Sequence, residues 1–168
     1  MAEDPTVFAI ESGNEMLGPV WGDMNCPASW VQAVARHVKQ VAPAKLFVDG
    51  TYGINATHLS IAEVDIFSDH FYPVDTSKLQ AGLTRVASAN RTYIAGEYAW
   101  NDADDTELTN WFNIIEKSPV AAGDVFWSLF GRNVPKCDVG FPQNATRMRR
   151  QCPLAGAMSQ FLRLTDAL

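Results

Sequence analysis

A chain of 168 residues, 47% of them hydrophobic and 19% charged, is long enough for one globular domain with a real core and too apolar for a disordered segment. Its net charge of −6 and pI near 4.9 exclude nucleic acid as the main partner, since phosphate binding needs a basic face, and suit a neutral, sugar-like substrate. No apolar run is long enough to span a membrane, Met1 to Pro5 lack the basic start and apolar core of an export signal, and 3 scattered His without close-set Cys/His pairs give a metal site no support.

Thr6 to Ile10 reads as a short apolar strand that runs into Glu11-Ser12-Gly13-Asn14-Glu15, and so ends in polar residues and a carboxylate. A loop rich in Gly, Pro and Trp follows from Gly18 to Cys26, and Pro27 opens a helix where its missing N–H does no harm. Trp30, Val31, Val34, Val38 and Val41 recur at helical spacing and give that helix one apolar face. Lys45 to Gly50 is the next strand, again ending in an acid, Asp49. Beyond the loop Thr51 to His58, which allows a short turn of helix at most, Val64 to Pro73 reads as a strand with polar groups at its exit.

Asp75 or Thr76 is placed to cap the following helix, whose Leu79, Leu83 and Val86 recur at turns of three and four. Thr92 to Tyr98 has no charge before Glu97, as expected of a strand covered on both faces that delivers one acid at its end. Asp104 and Asp105 suit the N-terminus of the next helix, with Leu108, Trp111, Phe112 and Ile115 as its buried stripe. Asp124 to Phe130 is the last strand. A loop from Gly131 to Pro153 carries most of the clustered basic residues, and a final helix is expected around Leu154 to Leu164.

Strand and helix alternate about five times, which argues for parallel strands with helices outside, as an open doubly wound sheet or a barrel. No Gly-rich phosphate loop follows the first strand, so the nucleotide-binding version is disfavoured. A barrel is the better reading, although a closed one needs eight strands. In such a barrel the chemistry collects at the C-terminal strand ends. A lone Glu97 there would be read as a cap for the next helix. Glu15 and Glu97 at two separate exits, with Asn14 before the first and aromatics around both, form a set that can act together. Glycosidic hydrolysis needs one protonated carboxyl to assist the leaving oxygen and one charged carboxylate facing the anomeric carbon. Tyr72 and Trp127 offer flat apolar faces for sugar rings, and His70 adds a polar contact.

Ser12-Gly13-Asn14-Glu15, Ser68-Asp69-His70-Phe71-Tyr72-Pro73, Ala95-Gly96-Glu97-Tyr98 and Val125-Phe126-Trp127-Ser128-Leu129 together resemble glycoside hydrolase family 5, in particular fungal endo-β-1,4-mannanase-like proteins. The resemblance implies an α/β fold, a partial TIM (β/α)8 barrel of roughly strands four to eight with their helices, as one truncated catalytic domain over residues 1–168. It implies Glu15, ending the fourth strand, as the general acid/base, with Asn14 on the sugar 2-hydroxyl. Glu97, ending the seventh, matches the nucleophile of a retaining double displacement, whose carboxyl groups stand about 5–5.5 Å apart. His70 and Tyr72 match the sixth-strand pair beside the nucleophile, and Trp127 the aromatic platform under the sugar.

The substrate implied is β-mannan or a related cell-wall β-glycan, with no cofactor; related barrels cut cellulose or other β-glucans with the same acids. The family's first three βα units, including an arginine near the nucleophile, have no counterpart in this sequence. This favours a second reading, a catalytically inactive half barrel or carbohydrate-binding remnant. It also leads us to expect self-association through exposed half-barrel edges.

The family is secreted, which fits three sequons, at Asn55, Asn90 and Asn144, and three cysteines. Cys137 and Cys152 bracket a loop that an oxidising compartment could staple, leaving Cys26 over, although spacing alone does not decide the pairing. Trp21, just beyond Glu15, is the further aromatic assigned to a subsite, Trp100 a weaker second, while Trp30 and Trp111 read as packing. Asp49 reads as a cap for its loop, with a substrate contact as the alternative that a barrel exit position leaves open, Asp69 as facing the helices, and Arg147, Arg149 and Arg150 as a solvated face.

Overall fold

A computed structural model describes residues 2–16, 26–99 and 103–127. Its elements alternate as expected: β1 (Ala9–Glu11), α1 (Ala28–Val41), β2 (Leu46–Asp49), β3 (Ile66–Phe71), α2 (Thr76–Ser88), β4 (Thr92–Tyr98), α3 (Asp105–Lys117) and β5 (Ala121–Asp124). All four strand pairings are parallel, and the order across the sheet is β1-β2-β3-β4-β5. Spatial order therefore equals chain order. A doubly wound sheet reverses direction part-way along, so this sequential order decides between the two α/β alternatives in favour of a barrel arc.

The two faces of the sheet differ. One carries the main core, in which Phe47, Phe67, Phe71, Tyr93 and Tyr98 meet helix residues such as Val31, Ala35, Leu79, Val86, Trp111 and Ile115. Trp111 packs edge-on to Phe71, with ring centroids 4.5 Å apart at 77°. The other face has a smaller apolar layer of Val48, Ile66 and Ile94, flanked by Ala9 and Leu46. Strand alternation thus sends odd and even positions to helices and barrel interior in turn, and every residue of β3 is buried.

Local chemistry fixes the helix ends. The Asp75 side chain accepts from the backbone N–H of Ser77 and Lys78 and so caps α2, and Asp104 and Glu107 form a reciprocal capping box on α3. Past α2, exposed Asn90 takes φ 53°, a left-handed conformation that Asn tolerates at helix C-termini. On α1 the expected stripe is narrower than the sequence suggests: Val31 and Val38 are buried beside Ala35, whereas Val41 is 57% exposed at the last turn.

The last strand is a correction. Residue propensity points to Asp124–Phe130, yet the ladder is Ala121–Asp124, with Tyr93 opposite Ala121 and Ala95 opposite Asp124. Small residues suit a strand whose Ala121 is buried in the same core cluster as the large rings of Trp111 and Tyr98. Val125 and Trp127 follow β4 outward, their N–H groups donating to the carbonyls of Ala95 and Tyr98, so residues 125–127 are the exit of the strand, and the expected residues 128–130 lie outside the described residues. The loop Gly131–Pro153, with Cys137, Asn144 and Cys152, and the final helix around Leu154 lie outside the described residues. Among the described residues, no helix is long and apolar enough to cross a membrane.

Candidate active site

The interior face of the sheet brings polar residues to the C-terminal strand ends: Glu11 from β1, His70 from β3 and Glu97 from β4. A register shift decides the last of these. Asp69 pairs with Ala95, but His70 pairs with Glu97, so Gly96 is the extra residue of a bulge that turns the Glu97 side chain toward His70. A Cβ on Gly96 would collide with Ser68 Oγ and lie 3.4 Å from His70 Nε2, so glycine is the residue that fits.

The segment after β1 is bent over the end of β2. Ser12 N–H donates to the Val48 carbonyl at 3.0 Å, Ser12 Oγ accepts from Gly50 N–H at 2.9 Å, and Met16 N–H donates to the Gly50 carbonyl at 3.2 Å. A Cβ on Gly50 would strike the Gly13 carbonyl, so this close crossing also needs glycine. The bend leaves Glu15 at φ 46°, a left-handed conformation that costs about 1 kcal/mol for a residue with a side chain. That strain aims Glu15 at the sheet interior.

One imidazole nitrogen joins the two acids. His70 Nδ1 lies 2.8 Å from Glu15 Oε1 and 3.6 Å from Glu97 Oε2, with the ring almost wholly buried. Tyr72 donates its hydroxyl to Glu97 Oε1. Burial first, then the hydrogen bond and charge of Glu97, push the Tyr72 phenol far above its ordinary range, so it remains a donor at any working pH. The side chains of Glu15 and Glu97 keep 38% and 17% exposure, so both carboxylates stay open to a ligand.

Four of the residues singled out from sequence, Glu15, His70, Tyr72 and Glu97, therefore converge. Asn14 is exposed next to Glu15, and Trp127 stands 49% exposed past the exit of β5. Trp21 and Trp100 lie outside the described residues. Asp69 faces the helices as expected, 2.9 Å from Lys78 Nζ. Asp49 is buried on the helix side of β2, away from this cluster.

Glu11 is the site residue that sequence reasoning passed over. Open to solvent yet hemmed in by the strand ends, its carboxyl has a pKa raised by desolvation; His70 opposes the shift, and Asp49 and Glu97 reinforce it. The available signal was strand alternation, which puts Glu11 on the same face as Ala9. Among the described residues, no cluster of three or more His, Cys, Asp or Glu could hold a metal ion.

Compared as a sequence, the chain matches no family model and no curated protein. Compared as a structure, it is similar to the endo-β-1,4-mannanase from Thermotoga petrophila, with TM-score 0.64 and 16% identity over 91% of this chain and 45% of that one. The fold is part of a TIM barrel. A point mutant of the glycoside hydrolase family 5 mannosidase from Rhizomucor miehei gives TM-score 0.61 at 18% identity, covering 83% of this chain and 44% of that one. A triple mutant of the endo-β-1,4-glucanase from Xanthomonas axonopodis pv. citri gives 0.60 at 17%, covering 91% and 60%. The chain thus spans about half the length of these structures, and at such identities the likeness is one of fold.

Proposed function

We propose that this chain carries barrel strands four to eight of a retaining, family 5-like glycoside hydrolase acting on β-mannan or a related β-glycan. The observation that carries this reading is the single His70 nitrogen shared by Glu15 and Glu97. The two carboxyl groups reach the same nitrogen, at 2.8 and 3.6 Å, so one sugar ring placed there meets both acids, as the paired carboxyl groups of a glycosidase require. Glu97 attacks the anomeric carbon while Glu15 gives its proton to the departing glycosidic oxygen. Water then breaks the glycosyl–Glu97 ester, returning its proton to Glu15. Tyr72 donates to Glu97 Oε1 and orients that carboxylate for attack, Asn14 meets the sugar 2-hydroxyl, and Trp127, with Trp21, supports the rings.

The test is hydrolysis of soluble galactomannan and of β-glucan by the whole chain beside Glu97→Gln. Turnover that falls by at least ~10³-fold in the variant would support the pair and its nucleophile. A folded wild-type chain silent on both sugars would overturn the proposal of catalysis for this chain. The similar structures include both mannanases and an endoglucanase, so the ratio of the two activities assigns the sugar.

A second reading rests on the coverage and on the sheet order: β1 and β5 end the sheet among the described residues, each with one unpaired side. In that reading the chain is an inert or sugar-binding half barrel that self-associates through those edges. Sugar binding without turnover, from a chain that sediments as a dimer, would favour it. Under either reading we place the protein outside the cell, with exposed Asn90 as a glycan acceptor; a mass loss on glycosidase treatment of the native protein checks this.

A further inference from the structure

Asp49 points away from the His70 cluster and meets His58 from the following loop, and both side chains are fully withdrawn from solvent, at 1% and 0% exposure. His58 Nδ1 lies 2.8 Å from Asp49 Oδ2, and His58 Nε2 lies 2.9 Å from the carbonyl oxygen of Cys26. A carboxylate and a carbonyl can only accept, so both bonds exist together only when both ring nitrogens carry protons. The ring is then an imidazolium. Asp49 Oδ1, buried without a hydrogen-bond partner, leaves a carboxylate charge that such a cation balances.

A third group competes for Nε2. Asn55 Nδ2 stands 3.2 Å from it, and the orientation of this amide is fixed because Asn55 Oδ1 accepts from both the N–H and the hydroxyl of Thr57. The amide nitrogen is a donor. It is satisfied at Nε2 only when that nitrogen is bare. Nε2 thus has two mutually exclusive partners, one for each protonation state.

We propose that His58 is a buried protonation switch: as an imidazolium it ties the Cys26 carbonyl to the end of β2, and on losing the Nε2 proton it releases that carbonyl and takes the Asn55 amide. Cys26 lies two residues before α1, so the switch acts on how the start of that helix is tied to the end of β2. It is independent of the assignment of Glu15 and Glu97 as catalytic groups.

The surroundings favour the charged ring. Asp49 faces it from β2, backed by the Thr51 hydroxyl at 3.5 Å. On the loop's far side, Arg85 of α2 donates to the Ile54 carbonyl, and Arg91 to the carbonyls of Leu59, Ile61 and Val64. Before α1, the Cys26 thiol is pushed up to about 11 by burial and by Asp49, so it is neutral. Burial opposes charge on His58, but the hydrogen bond and charge of Asp49, with the Cys26 carbonyl, outweigh it and raise the pKa. The arrangement is not a thiol triad, because the ring bonds the carbonyl of Cys26 and not its sulfur.

The direct test is ¹⁵N imidazole NMR of the whole chain across about pH 5–9, with His37→Gln and His58→Gln used to assign the rings. Two ring N–H protons on His58 at about pH 6, one of them lost above the ordinary imidazole range near 6.5, are expected. In parallel, Cys26 alkylation is read on its own peptide and divided by the rate for the denatured chain at the same pH. Protection should fall about tenfold across the His58 transition. Asp49→Asn should move that transition down, and Asn55→Ala, which removes the partner of the neutral ring, should move it up. A neutral ring at about pH 6, or Cys26 protection that is flat with pH, overturns the switch. If Asp49→Asn does not fold, the wild-type ring spectrum alone decides.

Discussion

The hydroxyl of Ser68 on β3 fills the place where a side chain on Gly96 of β4 would stand. The bulge that turns Glu97 toward His70 depends on this fit. Gly96→Ala must displace either Ser68 or the bulge, so the expected result is a loss of about 1–3 kcal/mol in urea unfolding, together with a fall in any glycosidase activity. Ser68→Ala in the same chain leaves Cβ to Cβ at the ordinary distance of 3.4 Å and should recover most of the stability. A cost below about 0.5 kcal/mol for Gly96→Ala alone would mean that Ser68 simply rotates, and that the bulge does not rest on the fit.

Tyr72→Phe removes the one hydroxyl that donates to Glu97 Oε1 while leaving the ring in place. A carboxylate that loses its donor is less firmly oriented. If Glu97 is the nucleophile, kcat falls by about 10–100-fold while KM changes little. An unchanged kcat would separate Tyr72 from the work of Glu97.

Lys78 has a structural task. Its ammonium meets Asp69 Oδ1 at 2.9 Å and the His70 carbonyl at 2.6 Å, and sits over the rings of Tyr52 and Phe71. Lys78→Met keeps the apolar stem and strands the Asp69 carboxylate, which is 3% exposed. Since the ammonium itself is 32% exposed, the expected loss is about 1–3 kcal/mol, below that of a fully buried pair. The double variant with Asp69→Asn should recover part of it in a denaturant titration.

The sequence made the barrel arc legible where its chemistry is local. Asp75 and Asp104 stand at real caps, and Thr92–Tyr98 is a strand with the bounds its composition suggests; Glu97 belongs to that strand, whereas Glu15, expected at a strand end, lies four residues past the end of β1 and reaches His70 from the bend. Hydrophobic alternation marks strands without saying which ones are neighbours, so the sequential order was legible only through the missing phosphate loop and the resemblance to a barrel family, and the ladder bears it out. The Ala121–Asp124 strand was hidden for a different reason: small residues with weak strand preference are held by the ladder to β4, while the aromatic run beside them drew the assignment. Glu11 was visible as an acid, but the charges that bear on it, those of His70, Asp49 and Glu97, come from three other strands. The His58–Asp49 pair lies within a single stretch of chain, and the clue was a loop histidine following a strand-end acid.

Glu11 gives a pH prediction with a definite sign. Its folded-state pKa is raised, so between the ordinary Glu value of about 4.3 and the folded value the native chain binds more protons than the unfolded one, and stability falls as pH rises. The penalty is absent below the ordinary value and complete above the folded one. Glu11→Gln removes the titrating charge and keeps the shape, so it should stabilise the protein at neutral pH and give no gain below about pH 4. Because Glu11 is open to solvent, screening keeps the gain small, and added salt should shrink it further. Denaturant midpoints for the two proteins, taken from acid to neutral pH, measure the difference directly. A gap that stays constant with pH would assign the effect to packing against Gly50 and remove Glu11 from the charge balance of the site. A gap that opens as predicted, with any sugar hydrolysis reduced, would mark Glu11 as an acid kept at a cost in stability for the sake of the site.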